Sequence, residues 1–221
     1  MNRKLEVFPA IGEAFVIGTK NAVPLVLTVL LYVLTIWIPY LNVGTTIAMN
    51  TIPRKLASGE ILNPLFIFES IYRRKMGSYF LLKGFMSMML LPALLLMVIP
   101  AIVLNLMYSL ALYIMLDDDL TPTEALERSN RATYGYKWEI FSIKFLMSIA
   151  ICVMTVIIAW VGVLVLESIE MAGIELLILI ALPCVVIIAI TCVFAIDAVI
   201  YRNLYLRPNA NMQEQNETFV E

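Results

Sequence analysis

Three consecutive aspartates, Asp117, Asp118 and Asp119, are the residues of this chain best placed to do chemistry. Clustered carboxylates can hold Mg²⁺ against a pyrophosphate, as lipid-modifying membrane enzymes require. Those enzymes add a further acid at fixed spacing, in the patterns D-D-x-x-D or D-x-x-D-G. Here Thr121 and Thr123 occupy the later positions, so neither pattern exists. The triplet reads instead as a solvated helix end leading into an N-cap. The second candidate is Asp197, in a run over 190–201 that is apolar but for Thr191. An ionisable group at membrane depth costs about 2.5–3.5 kcal/mol on insertion scales. Asp197 is therefore a coupling-ion or proton site, a polar contact between subunits, or an interfacial ion pair. Arg202 and Arg207 follow closely, and a pair with Arg202 or with a basic loop is the simpler expectation.

Other chemistries are poorly supplied. The chain has no histidine, which removes the commonest general base and the commonest metal ligand. Cys152, Cys184 and Cys192 all lie in apolar runs and read as small buried hydrophobes, not as disulfide or metal partners. Serines and threonines lack the adjacent base that a nucleophile needs, and no Gly-rich phosphate loop is present. Asn42, Asn50, Ser87, Asn105 and Thr155 suit hydrogen bonds between helices. Asn105 joins the aspartates as a candidate functional polar group. No catalytic, cofactor-binding or metal-ligating set emerges, and the expectation is a protein that is not an enzyme and carries no cofactor.

The elements that position these residues follow from composition. Hydrophobic residues make up 62 % of the 221 positions and charged residues 14 %, with a mean hydropathy of +0.91. Soluble domains run near ~45–50 % apolar and ~25 % charged, and a soluble core of this size cannot hide so much apolar surface. The expected solvent is lipid. A net charge of −2 and the lack of a basic stripe with interleaved aromatics argue against a nucleic-acid partner.

Four apolar blocks stand out, near 22–52, 80–116, 139–166 and 173–201. A spanning helix takes about 20 residues, so the last two blocks are one helix each and the first two are longer. Basic residues cluster at Arg3, Lys4 and Lys20, then between Arg54 and Lys83, between Arg128 and Lys144, and at Arg202 and Arg207. The connection 167–175 carries three acids and no base. If all basic groups are cytoplasmic, the long blocks each turn back near a proline (Pro39; Pro92 and Pro100). This predicts an all-α membrane fold of about six helices in three hairpins, near 22–38, 41–52, 80–98, 101–116, 139–166 and 173–203. The second helix is short for a bilayer. The rival reading makes each long block one kinked helix. The expectation is a single transmembrane domain over residues 1–207 with a retained N-terminus, followed by a disordered tail over 208–221. Both termini are cytoplasmic, and a bacterial inner membrane is the expected location.

The connections before the second and third hairpins repeat at an offset of 58 residues. Asn63-Pro64 aligns with Thr121-Pro122, Glu69 with Glu127, Arg73 with Arg131, and Gly77 with Gly135. Asn or Thr before proline is an N-cap with proline at the first helical position. Glu and Arg four apart can pair on one face, and glycine ends a helix in the left-handed cap. Glu124 completes a capping box with Thr121. Each copy predicts a short amphipathic helix at the cytoplasmic interface that ends at its glycine. Phe66, Ile67 and Ile71 in one, and Ala125, Leu126 and Tyr134 in the other, would dip into the acyl boundary.

The stretch 117–129 followed by Gly135, Tyr136, Lys137, Trp138 and Phe141 resembles a signature of poorly characterised bacterial membrane proteins. These are similar to the membrane domain attached to some glycerophosphoryl diester phosphodiesterases. Residues 38–44 and 56–60 resemble the corresponding pattern of the first half, and the likeness spans roughly 20–200. It implies a six-helix membrane module without catalytic residues, because the phosphodiesterase chemistry belongs to a separate soluble domain.

Two functional classes follow. One is a non-catalytic module that works by assembly among membrane lipids, as a homo-oligomer or with another envelope protein. The other is a small transporter or channel, whose pore forms in an oligomer or between the repeats.

Overall fold

The computed structural model describes residues 5–59, 61–168 and 189–209. Those residues are helical apart from short turns, and no strand occurs among them. The chain opens with α1 (Val7–Lys20) and α2 (Ala22–Thr35), which meet at a bend of 67°. Asn21 makes the joint. Its side-chain amide donates to Ile17 O at 3.1 Å, and its oxygen accepts from the distant Leu62 N at 3.2 Å.

α2 and α3 (Pro39–Asn50) form the first hairpin. Ile38 is extended, as the residue before a proline prefers, and Pro39 opens α3, where its missing N–H has no bond to lose. Tyr32 and Thr46 hydrogen-bond at 3.2 Å, and Thr35 donates to Thr45 at 3.4 Å, so the helices run antiparallel. Their 14 and 12 residues give about 21 and 18 Å at 1.5 Å each, short of the ~30 Å hydrocarbon core. The α1–α2 pair is long and apolar enough to cross only if taken together as one bent span.

A short α4 (Ile52–Ala57), a 3₁₀ turn (Pro64–Phe68) and α5 (Ser70–Arg74) lead to α6 (Met76–Leu96). An extended Met97 reverses the chain into α7 (Val98–Met107) and α8 (Ala111–Asp117). The ion pair of Lys75 with Asp119 joins the start of this excursion to its end, so the block is a hairpin and not one kinked helix. α7 and α8 are separated at Tyr108–Leu110, a break absent from the sequence expectation. Ser129 of α9 (Pro122–Thr133) satisfies the freed backbone: its hydroxyl donates to Met107 O at 2.7 Å and accepts from Leu110 N at 3.3 Å. Such a bridge lets a helix break without leaving buried polar groups unpaired.

Gly135, with φ 85°, turns the chain from α9 into α10 (Lys137–Ser168). The last helix, α11, is Ala189–Asn209 and contains a π-helical stretch at Arg202–Leu206. α1 packs along α11 through small residues. Ala10, Ala14 and Gly18 are spaced four apart and buried, and a Cβ on Gly18 would lie 3.6–3.7 Å from Thr191 and Ala195. Ile47, Ile52, Leu56, Ile67, Leu82, Ile114, Ile140 and Ile196 join one core.

Among the described residues four helices are long and apolar enough to cross a bilayer, or five with the bent pair. The expected connection 167–175, the start of the sixth helix, Cys184 and the tail from 210 lie wholly or partly outside the described residues. The repeat differs between its copies. Thr121 caps α9 through a full capping box, and Asn63 accepts from Leu65 N at 3.1 Å. Gly135 takes the left-handed turn, whereas Gly77 lies inside α6, because α5 ends at Arg74 and the next helix starts at Met76. Phe66 and Ile67 face the core, since the 3₁₀ turn packs against α2 and α3, so they do not form an outward apolar face.

Candidate functional site

The Asp117–Asp119 triplet sits where α8 ends. Asp119 is left-handed (φ 53°), and Leu120 N donates back to Met115 O at 3.2 Å, closing a Schellman-type cap. Aspartate tolerates this conformation better than most residues. The turn separates the three carboxylates, and each takes its own partners.

Asp117 pairs with Arg54 of α4 and accepts a hydrogen bond from the Tyr201 hydroxyl. Asp118 pairs with Arg128 of α9 at 2.5 Å and accepts from the Tyr205 hydroxyl at 2.5 Å. Asp119 pairs with Lys75. Tyr201 and Tyr205 stack with ring centroids 5.6 Å apart and planes at 13°. Tyr201 immediately precedes the π turn of α11 and Tyr205 lies within it, and their phenols reach consecutive aspartates. Tyr113 meets Tyr201 edge-on at 5.3 Å. Among the described residues no three His, Cys, Asp or Glu side chains are grouped so as to hold a metal ion.

Electrostatics outside the long apolar helices follow these contacts. The Tyr205 hydroxyl, then Asp118 and Glu124, hold the Arg128 guanidinium above its ordinary value. Burial raises the Tyr72 phenol, against the lowering effect of its hydrogen bond with Thr51. The Thr121 hydroxyl and backbone N–H hold the Glu124 carboxyl below its usual range. A polar cleft of about 480 Å³ opens beside the cluster, lined by Arg54, Lys55, Glu69, Tyr72 and Asp117 among others.

Asp197 is paired, but not with Arg202. Lys144 of α10 approaches it at 2.8 Å. Arg202 instead pairs with Glu13 of α1, with Arg207 at 3.6 Å from the same carboxylate. A cavity of about 280 Å³ between α10 and α11 contains Lys144, Ser148 and Asp197. Asn105 lies on an exposed face of α7, and no hydrogen bond or ion pair of its side chain enters this cluster. Of the repeat residues, Glu127 and Arg131 pair at 2.5 Å, while Glu69 pairs with Lys55 at 3.1 Å. Glu69 cannot share a helical face with Arg73, because it is the extended N-cap of α5. Arg73 donates to Phe68 O at 3.1 Å, and its stem crosses Gly44, where a Cβ would come within 2.7 Å of Cγ.

Sequence reasoning missed Arg54, Lys75, Arg128, Tyr201 and Tyr205 as partners of the triplet. The one local signal was the four-residue spacing of the two tyrosines, which places them on one helix face. Comparison with known proteins finds no match: no family model, no curated protein and no solved structure matches the chain.

Proposed function

We propose that this chain is a non-catalytic, multi-pass membrane module that works by assembly, as a homo-oligomer or with another membrane protein. One observation carries the reading. The acids that could have done chemistry are committed to cations and phenols of their own chain, while α6, α7 and α10 present large apolar side chains outward. Leu95, Leu96, Ile99 and Val156 are all exposed. Such bands need lipid or another helix to cover them. The resemblance to a phosphodiesterase-linked membrane domain without catalytic residues points the same way. The basic clusters favour both termini and the connections 54–79 and 117–137 on the cytoplasmic side of a bacterial inner membrane. Native mass spectrometry from lipid nanodiscs tests the proposal. A defined oligomer, or a stoichiometric second membrane protein, is expected; a lone monomer at every concentration contradicts it.

A second reading rests on the Lys144–Asp197 cavity. An ion pair lining a cavity between long apolar helices is the kind of site that couples proton or cation movement. Under that reading Asp197→Asn abolishes cation-dependent flux in proteoliposomes while the chain stays assembled.

A further inference from the structure

We propose that the groove between α7 and the start of α10 is a binding site for an anionic phospholipid, whose acyl chain lies along the apolar wall and whose phosphate meets Lys137. The inference rests on the membrane reading above and adds a ligand to it. The groove has a volume of about 480 Å³, and Ile99, Ile102, Val103 and Leu106 form one wall. The other is Trp138 and Phe141, with Tyr134, Gly135 and Lys137 completing the lining.

The α7 wall spans two helical turns, about 10 Å at 1.5 Å per residue, a length suited to an extended chain segment. Trp138 meets Phe141 edge-on at 6.1 Å, and Phe141 stacks on Phe145 at 5.5 Å, so an aromatic ladder continues the wall along α10. Tyr134 and Trp138 are 76 % and 79 % exposed, an amphipathic pair of the type that settles at a lipid headgroup boundary.

Charge selects the occupant. Lys137 is the one charged residue in the lining, and no ion pair with an acid of the described residues engages it. Glu139 is two positions on and therefore points from a different face of α10. Arg54, Arg128, Lys75 and Lys144 are each neutralised by an aspartate, so Lys137 differs from them in having its charge free. A single free cation beside an otherwise apolar groove complements an amphiphile with one anionic head. Gly135, turned left-handed, has nothing within 4 Å of the position a Cβ would take, so the corner beside Lys137 is open to a headgroup.

The test uses the full chain with Trp138 as its only tryptophan (Trp37→Phe, Trp160→Phe), reconstituted in vesicles of phosphatidylcholine. Brominated phosphatidylglycerol and brominated phosphatidylcholine are titrated in, and quenching of Trp138 gives their relative affinity. A preference of about fivefold for phosphatidylglycerol is expected from one lysine at an anionic headgroup. Lys137→Gln should remove it, and Lys20→Gln, on α1, should leave it intact. Val103→Trp cannot be read by this signal, so Val103→Phe is used to fill the groove, and it should weaken quenching by both lipids. Equal quenching by the two lipids, a preference that survives Lys137→Gln, or an equal loss in Lys20→Gln overturns the site. Displacement of the preference by inorganic phosphate would also overturn it, since the anchor would then be a free anion and not a lipid. Failure of the chain to enter vesicles would defeat the membrane reading itself, and is seen separately by flotation.

Discussion

The hydroxyl of Tyr201 donates to the carboxylate of Asp117, which also pairs with Arg54, so one aspartate ties α4, α8 and α11 together. Asp118 repeats the arrangement with Arg128 and Tyr205. Removing a partner from a half-buried cluster strands the others, whereas an exposed pair contributes little. Asp117→Asn should therefore lower stability by about 1–3 kcal/mol, and Tyr201→Phe by about 1 kcal/mol. Asp119→Asn should stay within about 0.5 kcal/mol, because Asp119 is 77 % exposed. Thermal unfolding of the three variants in one detergent checks the order.

Lys144 and Asp197 are both partly covered. Asp197→Asn leaves Lys144 facing a neutral amide, and should cost about 1–2 kcal/mol without loss of assembly. The exchanged pair Lys144→Asp with Asp197→Lys should recover part of what either single reversal loses. A double-mutant cycle by thermal unfolding measures the coupling, and a value near zero would show that the pair contributes nothing to stability.

The seam between α1 and α11 depends on small side chains. Gly18→Ala should be close to neutral, since its methyl would meet Thr191 and Ala195 at ordinary contact distance. Ala14→Leu inserts bulk into a fully buried position and should cost about 1–3 kcal/mol. Limited proteolysis within α1 is the readout. Faster cleavage of the Ala14 variant alone is the expected result.

Helix α9 should loosen from its N-terminus in acid. The folded-state pKa of Glu124 is lowered from the ordinary 4.5, first by the Thr121 hydroxyl and then by its backbone N–H. Its contribution is therefore complete above the unfolded value and is lost as pH falls through the lower folded value. Amide exchange in residues 123–125 should rise relative to the rest of α9 as pH falls below the ordinary carboxylate value of 4.5. Thr121→Ala should weaken that pH dependence, leaving the smaller part due to the backbone N–H of residue 121.

How far the fold was legible depended on range in sequence. The caps at Asn63 and Thr121 and the left-handed Gly135 are local, and spacing indicated them; the hairpin turn at Pro39 followed from the placement of the basic residues together with the proline. Gly77 misled because its apparent role came from alignment with Gly135, while the chain at 74–76 restarts a helix one residue earlier. Glu69 failed to pair with Arg73 for a different reason: a residue in an extended N-cap does not share the helical face that a four-residue spacing implies. Tyr201 and Tyr205 could not be assigned to Asp117 and Asp118, because the contacts join segments more than 80 residues apart. Nor does hydropathy reveal the break at Tyr108–Leu110, which Ser129 makes tolerable from another helix.

The placement of the polar connections on one side of a membrane is tested most directly by labelling single cysteines with an impermeant thiol reagent in intact cells. Cys152, Cys184 and Cys192 are first replaced by serine or alanine. Cysteine is then introduced at exposed Ser70 and exposed Glu127, and at Ser168, where α10 ends. Ser129 is unsuitable, being fully buried against Met107 and Leu110. Labelling is expected at 168 in intact cells, and at 70 and 127 only after the membrane is opened. Labelling at 70 or 127 in intact cells would contradict that placement.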